Sequence, residues 1–257
     1  MSAQTLRDRL AGGRPLFMSW SMLPGTLGAE LLAQQPWDAC VIDMQHGLIG
    51  YQEARDMAAT VMALDKPTVV RVPVGAHGLM GRVLDIGVEG LIAPMVNTGE
   101  DARALAAATK YPPVGERSWG AYRAIGSAGL GQEDYLAAAN GLAVSFAMIE
   151  TRTALDNLDE IAATPGIDGL FVGPNDLTIS LTGGTSLDAM GTPEVREAIS
   201  LIAAKASENG LVAGIYCGTP DFALTHAELG YSFLAVGTDR GFLAEGAANA
   251  LARLGRG

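Results

Sequence analysis

The chain has 257 residues, 49% of them hydrophobic and only 6% aromatic, and carries a formal charge of −11. That length suits one large α/β domain with a substantial aliphatic core. The acidic balance, without a clustered basic face, excludes a binder of nucleic-acid backbones and disfavours docking on an anionic membrane.

The expected partner is therefore a small molecule, held by a local cation if it is anionic. Residues 1–15 are polar and lack the apolar core of a signal peptide, and no apolar run approaches a membrane span. Cys40 and Cys217 read as free thiols in a reducing compartment, so a cytoplasmic location is expected.

In chain order, a helix is predicted over about 3–11, then a strand over 16–22 and a helix over 28–34. Further strands follow at 38–44, 67–72, 90–95, 144–150, 168–173, 211–217 and 232–238. The stretches between them, such as 51–64, 77–87, 99–111, 151–164, 193–210 and 220–230, carry helical patterns, as does 240–255. The strands are continuous apolar runs, as in a parallel sheet covered on both faces. Eight such units imply a single-domain (β/α)8 TIM barrel over 1–257. An open doubly wound sheet is the alternative, weakened because no Gly-rich dinucleotide turn follows the first strand. The connection at 111–143 is long, and reads as a structureless insert that could cover the barrel mouth.

Barrel chemistry sits at the C-terminal ends of strands. Those ends carry Trp20, Asp43 with Gln45-His46-Gly47, Arg71, Glu150, Gly173-Pro174-Asn175-Asp176, Tyr216-Cys217 and Gly237-Thr238-Asp239. Glu150 and Asp176 belong to neighbouring strands, about 4.8 Å apart in a sheet. Two converging carboxylates repel unless one is protonated or a cation lies between them. Hard oxygen ligands of this kind suit Mg2+ or Mn2+. Equally, each acid could simply favour the start of the following helix. Arg71 could clamp a substrate carboxylate, or pair with Asp43 or Glu150. His46 could be a general base or a loop histidine bonded to backbone. His77 and His226 are expected at the surface. None of Lys66, Lys110 and Lys205 sits at a strand end, which disfavours Schiff-base chemistry, and no His-x-His pair suggests a zinc hydrolase. The Gly237-Thr238 turn could hold a phosphate or be a plain tight turn.

The segments IDMQHG (42–47), VVRVP (69–73), RVLDIGVEGLIAPMVNT (82–98), KYPPVGERSWG (110–120), MIETRTALDNLDEI (148–161) and GIDGLFVGPNDL (166–177) resemble the 4-hydroxy-2-oxoheptanedioate and 2-dehydro-3-deoxyglucarate aldolases. These are the class II pyruvate aldolases of the HpcH/HpaI type, and the resemblance runs through nearly the whole chain. It implies a divalent-metal-dependent carbon–carbon lyase that makes or cleaves 4-hydroxy-2-oxo acids from a pyruvate-like acid and an aldehyde. Glu150 and Asp176 would hold the metal, Mg2+ or Mn2+ with Co2+ as a further option. Arg71 would bind the keto group and His46 would move a proton. Asp85 would pair with a histidine across a subunit interface. The backbone from Gly173 through Pro174 and Asn175 to Asp176 would hold the substrate carboxylate, with Trp20 and Gln45 lining the pocket. The family implies a hexamer, a trimer of dimers that swap the last helix.

Gln45 stands where the family often has Glu, and Met148 where it often has Gln. Both remove polar function, and hydroxypyruvate becomes a conceivable donor beside pyruvate. Arg123, in the insert, is a candidate for the aldehyde's far end. Two other readings compete: a malyl- or citramalyl-thioester lyase, and a non-catalytic barrel that binds a small acid.

Overall fold

The computed structural model describes residues 4–256. Eight strands are present: β1 (Leu16–Ser21), β2 (Ala39–Asp43), β3 (Thr68–Arg71), β4 (Gly90–Ala93), β5 (Val144–Ile149), β6 (Gly169–Val172), β7 (Val212–Cys217) and β8 (Phe233–Val236). All are parallel, each pairs with its sequence neighbours, and β8 closes on β1. The (β/α)8 barrel read from the apolar runs is therefore the fold, and the strands fall where the sequence placed them, trimmed by a residue or two.

The helices are α1 (Leu6–Ala11), α2 (Thr26–Ala33), α3 (Tyr51–Ala63), α4 (His77–Asp85), α5 (Gly99–Thr109), α6 (Tyr122–Ala128), α7 (Gln132–Leu142), α8 (Arg152–Asp156), α9 (Leu158–Ala162), α10 (Pro174–Leu181), α11 (Pro193–Glu208), α12 (Pro220–Glu228) and α13 (Asp239–Arg253). The first expected helix begins at Ala3, which lies outside the described residues. None of the described helices is long and apolar enough to cross a membrane.

Two apolar layers follow from the alternation along each strand. Val70, Leu91, Ile149, Leu170 and Ile215 face outward against the helices. Met18, Val41, Val69, Phe146, Phe171 and Phe233 fill the barrel interior. Phe146 stacks on Phe233 at 4.6 Å, and Phe171 meets both edge-on. Three large rings fit because Gly169 and Gly214 face them: a Cβ on Gly169 would lie 2.5 Å from Phe146, and one on Gly214 2.7 Å from Phe171.

The insert differs from the expectation. It is not structureless, because α6 and α7 occupy most of it and pack on Tyr111 through Ala121, Ala124, Tyr135 and Ala139. Nor does it cover the mouth of its own barrel. It follows α5, which has already run back to the N-terminal ends of the strands, so it sits at the foot. There Lys110, only 2% exposed, donates to the carbonyls of Asn140 and Ala143 and pairs with Asp168 at 2.6 Å. Arg7 of α1 reaches the same carboxylate at 2.7 Å. Burial pulls the Lys110 ammonium below its usual range, and the Asp168 charge opposes that shift. His226 also departs from expectation: it is buried, stacked on Phe222 at 4.0 Å, and bonded through Nδ1 to the Phe222 carbonyl.

Asp168 thus ties α1, the insert and the foot of β5 together. Asp168→Ala strands a buried ammonium, and a loss of about 3–5 kcal/mol is expected. Urea unfolding at neutral pH measures it, and an unchanged midpoint would show that the network carries no stability.

Candidate active site

The mouth is built from strand ends, as barrel geometry requires. Asp43 and Arg71 are the last residues of β2 and β3 and are register partners across that pair. Arg71 grips both oxygens of Asp43 with one edge of its guanidinium: Nε to Oδ1 at 2.9 Å and one terminal nitrogen to Oδ2 at 2.6 Å. The same carboxylate accepts from Trp20 Nε1 at 3.2 Å and from the backbone N–H groups of Gln45 and His46. Arg71 also lies over the Trp20 ring, 4.9 Å from its centroid. Burial alone would raise the Asp43 carboxyl. The Arg71 fork and charge, the Gln45 N–H and the Trp20 indole outweigh it and hold the group below the usual carboxylate range. Of the alternatives open for Arg71, the pair with Asp43 is the one formed, and Arg71 still lines the cavity above it.

Glu150 follows β5 directly and is 1% exposed. One oxygen, Oε1, accepts the Met95 N–H at 2.8 Å, delivered by a turn in which Met95 holds φ +56°. No arginine or lysine among the described residues bonds to it. Burial pushes its pKa up to about 7, and the nearby Asp176 charge adds to that, while the Met95 N–H and Arg71 oppose it. Asp176 sits in the first turn of α10, whose N-cap is Gly173. A Cβ on Gly173 would strike Glu150 Oε2 and lie 2.6 Å from Met148 Cε, so only glycine lets this turn close over the glutamate.

This arrangement fits a hard divalent cation. A buried carboxylate without counter-charge stands beside a second acid, both offer oxygen donors, and neither is committed to an ion pair. No cluster of three or more Asp, Glu, His or Cys side chains suited to a metal occurs among the described residues. Two protein oxygens plus those of ligand and solvent would then complete the shell.

A cavity of about 230 Å³ opens on the Asp43–Arg71 pair and on Asp176, with Glu150 behind the Gly173 part of its wall. Trp20, His46, Arg71, Gly173, Pro174, Asn175 and Asp176 line it as the sequence placed them, together with Asp43, Met148, Tyr216, Thr238 and Arg240. His46 is exposed at the rim. Gln45 is set apart, since its Oε1 is buried without a partner and its side chain does not line the cavity. Asp85 is not brought to His46 within one chain. It ends α4 at the foot and binds Arg117 at 2.6 Å. Arg123, expected near the aldehyde, also lies at the foot, donating to the Ile86 carbonyl. A larger cavity of about 640 Å³ opens there, lined by Lys66, Arg117 and Arg123, away from the paired acids.

The model of the HpcH/HpaI aldolase/citrate lyase family matches residues 17–245. The chain belongs to that family. A hydroxypyruvate/pyruvate aldolase of Rhizorhabdus wittichii is 40% identical over 240 residues, covering 93% of this chain and 94% of that protein. A 2-keto-3-deoxy-L-rhamnonate aldolase of Shigella sonnei is 36% identical, covering 91% and 86%. The crystal structure of an HpcH/HpaI family protein from Burkholderia cenocepacia superposes with a TM-score of 0.87 at 31% identity, covering 97% and 98%. Membership, with the aldolase names of these relatives, marks the HpcH/HpaI chain as an enzyme of the aldehyde-lyase class and sets aside the non-catalytic reading.

Asp43 was legible in the sequence only as a possible partner of Arg71, and Arg240 was not singled out at all. Its one signal was position, two residues beyond the Gly237-Thr238 end of β8.

The Asp43–Arg71 pair has a pH signature. Because the folded-state pKa of Asp43 is lowered, its contribution to stability is complete above the ordinary Asp range, near pH 4. It is lost as pH falls through the lowered value. Asp43→Asn should cost about 3–5 kcal/mol at neutral pH and flatten the acid limb of the stability profile. Thermal melting of both proteins from neutral pH downward measures this, and parallel profiles would contradict it.

Proposed function

We propose that the protein is a divalent-metal-dependent class II aldolase that joins pyruvate or hydroxypyruvate to an aldehyde and runs the reverse cleavage of 4-hydroxy-2-oxo acids. The observation that carries this reading is the buried, unpaired Glu150 beside Asp176, packed under the Gly173 wall of the cavity that an Asp43-held Arg71 also lines. Glu150 and Asp176 would hold the cation, and their hard oxygens favour Mg2+ or Mn2+, with Co2+ also compatible. When bound, a divalent cation supplies Lewis acidity that stabilises negative charge on the keto oxygen of the acid.

The chain's own groups do the rest. Arg71 offers a fixed positive charge toward that keto oxygen, and its grip on Asp43 spares reorganisation as charge develops. The first-turn N–H groups of α10, at Asn175 and Asp176, lack intrahelical partners and suit the substrate carboxylate. Pro174 contributes no N–H there and sets the turn. Trp20 and Tyr216 wall the cavity against water. His46, exposed at the rim with its backbone pinned by Asp43, is placed to take the C3 proton and later give one to the new hydroxyl. The electron pair of the C3–H bond becomes the pair of the new C–C bond. The π pair of the aldehyde moves to its oxygen, which takes the proton, and no oxidant is needed.

The thioester-lyase alternative needs cations for the coenzyme A phosphates. At this mouth one guanidinium, that of Arg240, is uncommitted, which fits a small substrate better.

We further infer assembly. No residue of α13 is buried, and Leu243 (66%), Leu251 (47%) and Leu254 (76%) are exposed. An apolar groove of Phe17, Trp37, Pro220, Ala223, Leu224 and Val236 lies open on the outer face of β8. The α13 of a second copy fits that groove, giving a helix-swapped dimer as the unit of a trimer-of-dimers hexamer. Asp85 could reach a His46 only in such an assembly, as the group of another subunit.

Two experiments test these readings. Deuterium exchange at C3 of pyruvate, without aldehyde, should require the metal and vanish in Glu150→Ala and Asp176→Ala. Arg71→Lys should lose about 100-fold or more, because a point charge does not replace the oriented fork. Lys205→Ala, whose ammonium pairs with Asp159 and Glu208 on the outer helices, should leave exchange unaltered. Exchange that survives a chelator would remove the metal from the mechanism. For assembly, light scattering should give a hexamer that Leu243→Asp with Leu251→Asp breaks down, and a wild-type monomer would end that proposal.

A further inference from the structure

The mouth holds one cation that the aldolase chemistry leaves unused. Arg240 lines the same cavity from the first turn of α13. Among the described residues its guanidinium makes no ion pair and no hydrogen bond. The adjacent Asp239 does not neutralise it. That carboxylate is occupied by the backbone N–H groups of Met22 and Leu23 at 3.0–3.1 Å, and of Arg240 itself at 2.7 Å. The other cation of the cavity, Arg71, is paired with Asp43 and assigned to the 2-oxo acid.

Tyr216 lines the same cavity as the two arginines. Its ring packs edge-on against Trp20 at 5.4 Å, and its hydroxyl lies within electrostatic reach of both guanidinium groups. The cavity that holds Arg71 for the 2-oxo acid thus also presents Arg240. The acid's own carboxylate has donors at the start of α10. An anion at Arg240 must then belong to the second substrate.

We propose that Arg240 is a specificity-determining residue that recognises an anionic group, carboxylate or phosphate, at the end of the aldehyde away from its reacting carbon. This rests on the aldolase reading and names the class of its electrophile: a short aldehyde bearing negative charge, in preference to its neutral counterpart. The chain's charge of −11 gives the group a second task, since one free guanidinium at the entrance offsets the repulsion an anionic substrate meets on approach.

The test compares charged and neutral aldehydes of like size: glyoxylate against glycolaldehyde, and glyceraldehyde 3-phosphate against glyceraldehyde, each with pyruvate and saturating Mg2+ or Mn2+. The wild type should prefer the charged member of at least one pair, and which pair separates carboxylate from phosphate recognition. Arg240→Ala should lower kcat/KM for that charged aldehyde about 10- to 100-fold, mainly through KM, as expected for a lost charge-assisted hydrogen bond. The neutral aldehyde should change less than about threefold, and Arg240→Lys should recover part of the loss. A second measurement needs no variant: KM for the charged aldehyde alone should rise between low salt and about 0.5 M salt, where screening is strong. Equal losses on both members of a pair, or salt-independent KM values, overturn the assignment. If the wild type exchanges deuterium into pyruvate yet ignores aldehyde charge, this inference fails and the aldolase reading stands. If it shows no metal-dependent exchange, both fall.

Discussion

Glu150 is a carboxylate buried without a cation, and much of the mouth is arranged around that fact. Burying an ionised acid unpaired costs several kcal/mol, so a fold retains one only where something else compensates. Here one backbone N–H does part of it, and presenting that N–H takes a left-handed backbone at Met95. Space for the second oxygen takes a glycine at 173, where any side chain would collide with the acid. A second carboxylate, Asp176, is then set on the adjacent helix start, which raises the electrostatic cost further. These choices leave the acidic pair short of positive charge, the condition that the proposed cation would relieve.

The pairing of Arg71 with Asp43 follows from the same constraint. Had Arg71 turned toward Glu150, the buried acid would have been neutralised by protein and a divalent ion would have had little to gain. Asp43 opposes this by holding the Nε edge of the guanidinium with both its oxygens, with Trp20 stacked over it and two backbone N–H groups completing the carboxylate's shell. Arg71 thus supplies direction more than net charge. The electrostatics divide cleanly: one arginine–aspartate unit is neutral and rigid, and one acidic pair is left short of positive charge.

The barrel was legible because each strand is buried on both faces, which leaves no room for polar alternation and makes eight apolar runs conspicuous. Glu150, Asp176, Arg71 and His46 were legible because a polar residue closing an apolar run has few places to point other than the mouth. The insert was misread for a local reason. Its prolines, glycines and small residues look like loop, yet α6 and α7 gain their stability from Tyr111 and Tyr135, a tertiary contact no local pattern reveals. Its location was misjudged for a topological one, since a connection after a helix returns to the foot. A surface position was expected for His226 because it lies in a predicted helix, but two aromatic neighbours enclose it. Gln45 lies one residue from His46 in sequence, and the turn after β2 sends the two side chains to different surroundings.

Arg240 and the exposed leucines share one helix, and the two roles assigned to α13 would conflict if the helix moved as a unit. The structure separates them. The first turn is held to its own barrel: Thr238 caps it, Asp239 grips the backbone after β1, and Phe242 stacks on Trp37 at 6.0 Å. Gly237, at φ +62°, lets the chain turn sharply beneath the Phe242 ring. Beyond that turn no side chain is buried by the same chain. The position of Arg240 is therefore set within one subunit, while the rest of the helix is free to seek a groove elsewhere. The proposed aldehyde specificity and the proposed subunit assembly would therefore draw on different stretches of a single helix, because the contacts that fix its first turn end at Phe242.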